Sequence, residues 1–378
     1  MGLTSIIALI KQLITMVMTI VMVFSTGVAG TAKTEVPEGG FDNVKNVIYL
    51  IGDGMGPLHL EKTKQERGIS LIMDTMPLQG RSRTSSQSSK VTDSAAGGTA
   101  LATGHRTYNG ALGVFMEDPL KLESYPVNLT EVCMANGMKT GVVTTDKTSG
   151  ATPSAFSAHT YSRGNTRDIS LQQQESGIDL IWGNETEFVT QSRCEKGGYT
   201  LITTYDEMMA LEEGTKSFAQ FTGDTWKTEQ SGQTPTLSQM TMKAIDLLDD
   251  TDEGFFLMVE GAHIDKHSHS NNGDAMTEAL TEFDKTIEAV LEYAAADGET
   301  LVVVTADHET GGIVLKDDGT YSYTQTSHSA ADVPVLVFGS DNFITNGATI
   351  NNYEIPIRIA YSLGLDEDTF PAAFKTFQ

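Results

Sequence analysis

A chain of 378 residues with 39% hydrophobic content can bury a large core, so disorder is excluded as the default state. Its formal charge of −25, from 25 basic and 50 acidic side chains, excludes nucleic acid as a specific partner, because phosphate backbones are held by Lys and Arg. Two cysteines, Cys133 and Cys194, are too few for a disulfide framework, and whether they pair stays open.

Residues 1–32 differ from the rest. Lys11 precedes an apolar run from Leu13 to Phe24, and small residues follow at Val28-Ala29-Gly30 and Thr31-Ala32. That order describes a secretory signal peptide cut after Gly30 or Ala32, with export to the periplasm or the extracellular space. An uncleaved anchor is the alternative, since Ile6 to Phe24 is almost long enough to span a bilayer; nothing later is apolar enough, so a cleaved chain has no membrane span. Residues 33–378 are expected to form a single domain with a smaller inserted region at about 165–252.

The first strand signal is Asn46 to Ile51, followed at once by Gly52-Asp53-Gly54. Ligands in open α/β sheets sit at such carboxyl ends, which makes Asp53 a candidate metal ligand; alone, Gly-Asp-Gly is an ordinary turn. Small residues from Ala95 to Ala102 suit a tightly packed helix ended by Gly104, with Ser94 at its N-terminus. Free backbone N–H groups there favour an anion such as a phosphate carried on Ser94, although a plain N-cap serine has the same pattern. The next strand, Gly141 to Thr145, leads to Thr152 in a loop, and a helix continuing from Thr152 would carry Arg163, whose planar fork suits two phosphate oxygens.

Phe255 to Glu260 reads as a buried strand that runs into Gly261-Ala262-His263-Ile264-Asp265-Lys266-His267-Ser268-His269. Crowding acids and imidazoles at a buried strand end is costly unless a cation compensates them. Asp265 and His269 stand at i and i+4, so one helical turn aims both at one point. After a helical stretch from Asp274 to Ala296, the strand Leu301 to Thr305 delivers Asp307 and His308 to the same edge, and His328 precedes a last apolar strand, Val333 to Phe338. Strands whose carboxyl ends all carry chemistry imply an α/β fold: a mainly parallel central sheet with helices on both faces.

Together Asp93-Ser94-Ala95, Val259-Glu260-Gly261, Asp265 with His269, Thr305-Ala306-Asp307-His308 and His328 resemble the alkaline phosphatase family, in the family's order and over nearly all of the mature chain. The resemblance implies one zinc on Asp265, His269 and His328, a second on Asp53, Asp307 and His308, and a magnesium on Asp53, Thr152 and Glu260. It also implies phosphate monoester hydrolysis through a phosphoserine at Ser94, with Arg163 holding phosphoryl oxygens and Lys266 contacting phosphate through water. The donors agree: imidazole with carboxylate suits zinc, and all-oxygen sets suit magnesium. The chain departs from the family at Gly150, where some relatives carry an acid or a histidine, so weaker magnesium retention is expected. A homodimer fits the family, with any contact built from the short 308–328 interval reduced. A phosphodiesterase or nucleotide pyrophosphatase on the same scaffold, and a non-catalytic metal- or phosphate-binding protein, are the rival readings.

Overall fold

The computed structural model describes residues 40–41, 43–116, 124–229, 231–365 and 370. The expected signal peptide lies outside them. In chain order the strands are β1 (Asn46–Ile51), β2 (Leu78–Arg83), β3 (Lys139–Lys147), β4 (Leu180–Asn184), β5 (Thr200–Ile202), β6 (Ser217–Phe221), β7 (Phe255–Glu260), β8 (Thr300–Thr305), β9 (Glu309–Thr310), β10 (Val314–Leu315), β11 (Tyr321–Ser322), β12 (His328–Ser329), β13 (Val333–Phe338) and β14 (Thr349–Asn351). Ten of them form one sheet in the order β14-β2-β13-β8-β1-β7-β3-β4-β6-β5. All neighbours run parallel except β13, which is antiparallel to both β2 and β8.

The sheet is covered on both faces, which is why its central strands are unbroken apolar runs. Successive β1 side chains point opposite ways, as the strand period requires. Ile48 and Leu50 join one core with Val302 and Val304, under the helices Leu237–Leu248 and Gly273–Asp297. Val47, Tyr49 and Ile51 join the other, under the helices Ser94–Thr103, Leu129–Ala135 and Glu354–Ser362. Cys133 lies in this second core and Cys194 in a separate cluster; both are buried, free thiols. The stretch expected as an inserted region supplies β4, β5 and β6 to one end of the same sheet and then the Leu237–Leu248 helix. Among the described residues no helix is long and apolar enough to cross a membrane.

Because β8, β1, β7 and β3 run parallel and side by side, their C-terminal ends open onto one edge. Asp307, Asp53, Glu260 and the turn to Thr152 leave the sheet there, next to the helix His263–His269 that β7 feeds. His328 arrives differently: β12 pairs with β9, antiparallel, two residues beyond His308.

Candidate metal centre

Two strand ends and a helix N-terminus bring the first cluster together. His308 Nε2 lies 3.2 Å from Asp307 Oδ2, 3.6 Å from Asp53 Oδ1 and 3.1 Å from Ser94 Oγ. A second cluster adjoins it. His269 Nε2 is 3.3 Å from Asp265 Oδ1 and 3.1 Å from His328 Nε2, which is itself 3.7 Å from Asp265 Oδ1. The His308 and His328 rings stack with centroids 3.5 Å apart, so the two clusters share a wall.

The hydrogen bonds fix the tautomers of all three histidines. Thr310 Oγ1 donates to Asp265 Oδ1, so its oxygen is left to accept from His308 Nδ1, 3.2 Å away. His328 Nδ1 lies 2.9 Å from the Thr92 carbonyl oxygen and His269 Nδ1 lies 2.6 Å from that of Thr326, and a carbonyl can only accept. Each Nδ1 therefore holds the proton and each Nε2 turns a lone pair inward, as in metal-ligating imidazoles steadied from behind. Two such lone pairs facing each other across 3.1 Å repel unless a cation or a proton lies between them. The Asp265 carboxylate beside His269 favours positive charge at the same point, its hydrogen bond raising the His269 pKa to about 9.

Buried oxygens without partners mark the same places. Asp53 Oδ1 and Asp307 Oδ2 are buried and make no hydrogen bond. Such atoms are costly unless something else compensates them. Burial, then the charges of Asp307, Asp265 and Glu260, push Asp53 well above the ordinary carboxylate range. Burial and the charge of Asp146 push Glu260 up to about 8, against hydrogen bonds from Thr144 and Thr152. The donor chemistry fits the expected ions: imidazole with carboxylate in the two histidine clusters, oxygens alone around Asp53, Thr152 and Glu260.

Ser94 opens its helix but does not cap it. Asp93 is the N-cap, its Oδ1 accepting from Ala96 N at 3.0 Å, and Ser94 is the first helical residue. The helix can approach Asp307 closely because Gly97 has no side chain; a Cβ there would stand 2.9 Å from the Asp307 carbonyl oxygen. Arg163 does not ride on a helix continuing from Thr152, as the sequence reading expected. That helix spans only Ala151–Ala155, after which Thr160 bridges to Leu112 and Arg163 falls in a turn. Its guanidinium reaches the cluster nonetheless, pairing with Asp93 Oδ2 at 3.1 Å, and is 43% exposed. Lys266 pairs with Asp146 at 2.9 Å.

Comparison with known proteins gives the constellation a family. The alkaline phosphatase family model matches residues 44–185 and 190–354, which include every candidate ligand. The chain belongs to the alkaline phosphatase family. Alkaline phosphatase 4 of Bacillus subtilis (strain 168) is 32% identical over 305 residues, covering 73% of this chain and 64% of its own length. Alkaline phosphatase 3 of the same strain is also 32% identical, over 329 residues, 81% of this chain and 70% of its own length. The chain thus spans about two thirds of the length of these relatives. Among solved structures, a mutant of the alkaline phosphatase from the Antarctic bacterium TAB5 with magnesium bound in its M3 site superposes with a TM-score of 0.75 at 30% identity, over 86% of this chain and 99% of that one.

Several roles around this site were not read from sequence. Asp93 both caps the Ser94 helix and pairs with Arg163; Thr310 orients His308 and Asp265; Thr144 bonds Glu260; Asp146 holds Lys266. Buried His59 joins the helix Pro57–Arg67 to the helix carrying Asp265, its Nε2 lying 3.1 Å from Ser268 Oγ. A carboxylate just ahead of Ser94 was the one local signal available, since Asp is a strong N-cap.

Proposed function

We propose that the protein hydrolyses phosphate monoesters through a phosphoserine on Ser94, releasing inorganic phosphate. The single observation behind this is the position of Ser94 Oγ, at a helix N-terminus and 3.1 Å from the same His308 Nε2 that meets Asp53 and Asp307. Asp265, His269 and His328 would hold one zinc, Asp53, Asp307 and His308 another, and Asp53, Thr152 and Glu260 a magnesium. When bound, these ions supply Lewis-acid polarisation of the serine and then of water, and offset charge on the leaving oxygen.

The chain's own groups do the rest. Ser94 Oγ gives up its proton to solvent and forms the bond to phosphorus as the ester oxygen departs with its electron pair and takes a proton from solvent; water then adds its hydroxyl to phosphorus and returns a proton to Ser94 Oγ, freeing the enzyme. Backbone N–H groups of the first helical turn face the charge on the phosphoryl oxygens. Arg163, oriented by Asp93, offers a planar fork to two of them. Lys266 adds a cation at the same edge; burial lowers its pKa, but Asp146 more than restores it. A magnesium ion in the M3 site of the TAB5 mutant agrees with a third cation. Export after cleavage of residues 1–32, and a homodimer, belong to the same reading.

The test compares a nitrophenyl monoester with the corresponding diester and traps labelled phosphate on the protein. Monoester hydrolysis with label on Ser94, abolished in Ser94→Ala, is expected. Preferential diester turnover would favour the phosphodiesterase alternative, and full metal occupancy without turnover would favour a binding protein.

A further inference from the structure

Gly150 has no conformational reason to be glycine. Its φ of −57° and ψ of 159° are open to any residue, yet a Cβ built there would stand 2.7 Å from Asp146 Oδ2 and 3.0 Å from the Lys147 carbonyl oxygen. The room is already taken. Asp146 comes from the end of β3, its N–H donating to Thr144 Oγ1 at 2.8 Å, while the Thr144 hydroxyl donates to Glu260 Oε2. Its second carboxylate oxygen, Oδ1, lies 2.9 Å from Lys266 Nζ. Both partners lead to the oxygens assigned to magnesium: Thr144 bonds Glu260, and Lys266 feels the charges of Glu260 and Asp53, while Glu260 feels that of Asp146.

Asp146 and any side chain at 150 therefore compete for one volume. We propose that Asp146 is the positioning carboxylate of the third-cation site, holding Lys266 beside Asp53 and Glu260 and contributing from β3 the negative charge that position 150 cannot. The inference rests on the three-cation reading above. It reverses the weak magnesium retention expected from Gly150 alone, because the acid is relocated to a residue four positions earlier in the chain.

The experiment uses zinc-loaded protein and measures magnesium affinity by titration calorimetry, with zinc and magnesium content by elemental analysis. Asp146→Asn keeps the shape and removes the charge; magnesium affinity is expected to fall about 10–100-fold with zinc content unchanged, the range for residues that support metal ligands from behind. Asp146→Gly combined with Gly150→Asp moves the carboxylate into the vacated space and should recover affinity relative to Asp146→Gly alone. An Asn variant that binds magnesium within twofold of the parent, one that loses zinc in parallel, or a double variant no better than Asp146→Gly would overturn the proposal. A parent protein that binds no magnesium removes the three-cation reading as well, which distinguishes the two failures.

Discussion

Arg163 is held by a carboxylate with two other duties. Asp93 caps the Ser94 helix through Ala96 N and accepts from Gly110 N through both oxygens, so its position is fixed before Arg163 arrives. An exposed ion pair of this kind contributes about 0–1 kcal/mol to stability. Against a phosphoryl dianion the same guanidinium makes charge-assisted bonds of roughly 1.5–3 kcal/mol. Arg163→Ala should therefore lower kcat/KM about 10–100-fold while moving the unfolding midpoint little; steady-state kinetics beside a urea titration checks the split, and a large stability loss with unchanged kinetics would contradict it. Arg163→Lys should recover little, since a point charge cannot span two oxygens.

Among elements, the Ser94 helix and the long helix Gly273–Asp297 each carry a constraint that can be measured. Gly97→Ala puts a methyl group 2.9 Å from the Asp307 carbonyl and 3.2 Å from its Cβ, so the helix must back away from β8. Overpacking of this sort costs roughly 1–3 kcal/mol, against a helix-propensity gain of about 1. Activity should fall more than stability as Ser94 separates from His308, which thermal melts and kcat together would reveal. In the long helix, Glu282 is buried and accepts from Ser238 N at the start of the Leu237–Leu248 helix; burial raises it to about 7. Its folded pKa exceeds its unfolded one, so between about pH 4.5 and 7 the folded state binds more protons. Stability should thus fall as pH rises through that window, and Glu282→Gln should remove this part of the slope and raise stability at pH 8 by roughly 2–3 kcal/mol. Denaturant titrations at pH 5 and pH 8 test it. These elements also show what the sequence could disclose. β1, β7 and β8 are apolar runs that stop at Asp53, Glu260 and Asp307, and a strand buried on both faces can carry charge only where it ends. The i, i+4 spacing likewise announced Asp265 with His269. Asp146, Thr310 and the Thr92 and Thr326 carbonyls were silent, because a hydroxyl 45 residues from its partner or a carbonyl 236 residues away has no local pattern. Arg163 was found on its residue type but given a helix, since the break after Ala155 comes from the Leu112–Thr160 bridge across the chain.

For the whole molecule, cations held at these clusters would be part of the fold's stability. Asp53 and Glu260 stand at one sheet edge with burial opposing their ionisation, and a bound ion would relieve that opposition. A ligand at a hundredfold excess over Kd stabilises the native state by about 2.7 kcal/mol. Chelation should lower the melting temperature by several degrees and abolish turnover, and added zinc should restore both; calorimetry in chelator and in zinc checks it, and an unmoved melt would argue against buried cation sites. His328, delivered by the small β9–β12 ladder after the central strands, has a temporal consequence. A chain halted before position 328 already owns Asp53, Asp307 and His308 but lacks the final imidazole of the neighbouring cluster. Ion capture by graded truncations would then act as a ruler of synthesis, with the second equivalent of zinc registering that the chain had passed position 328.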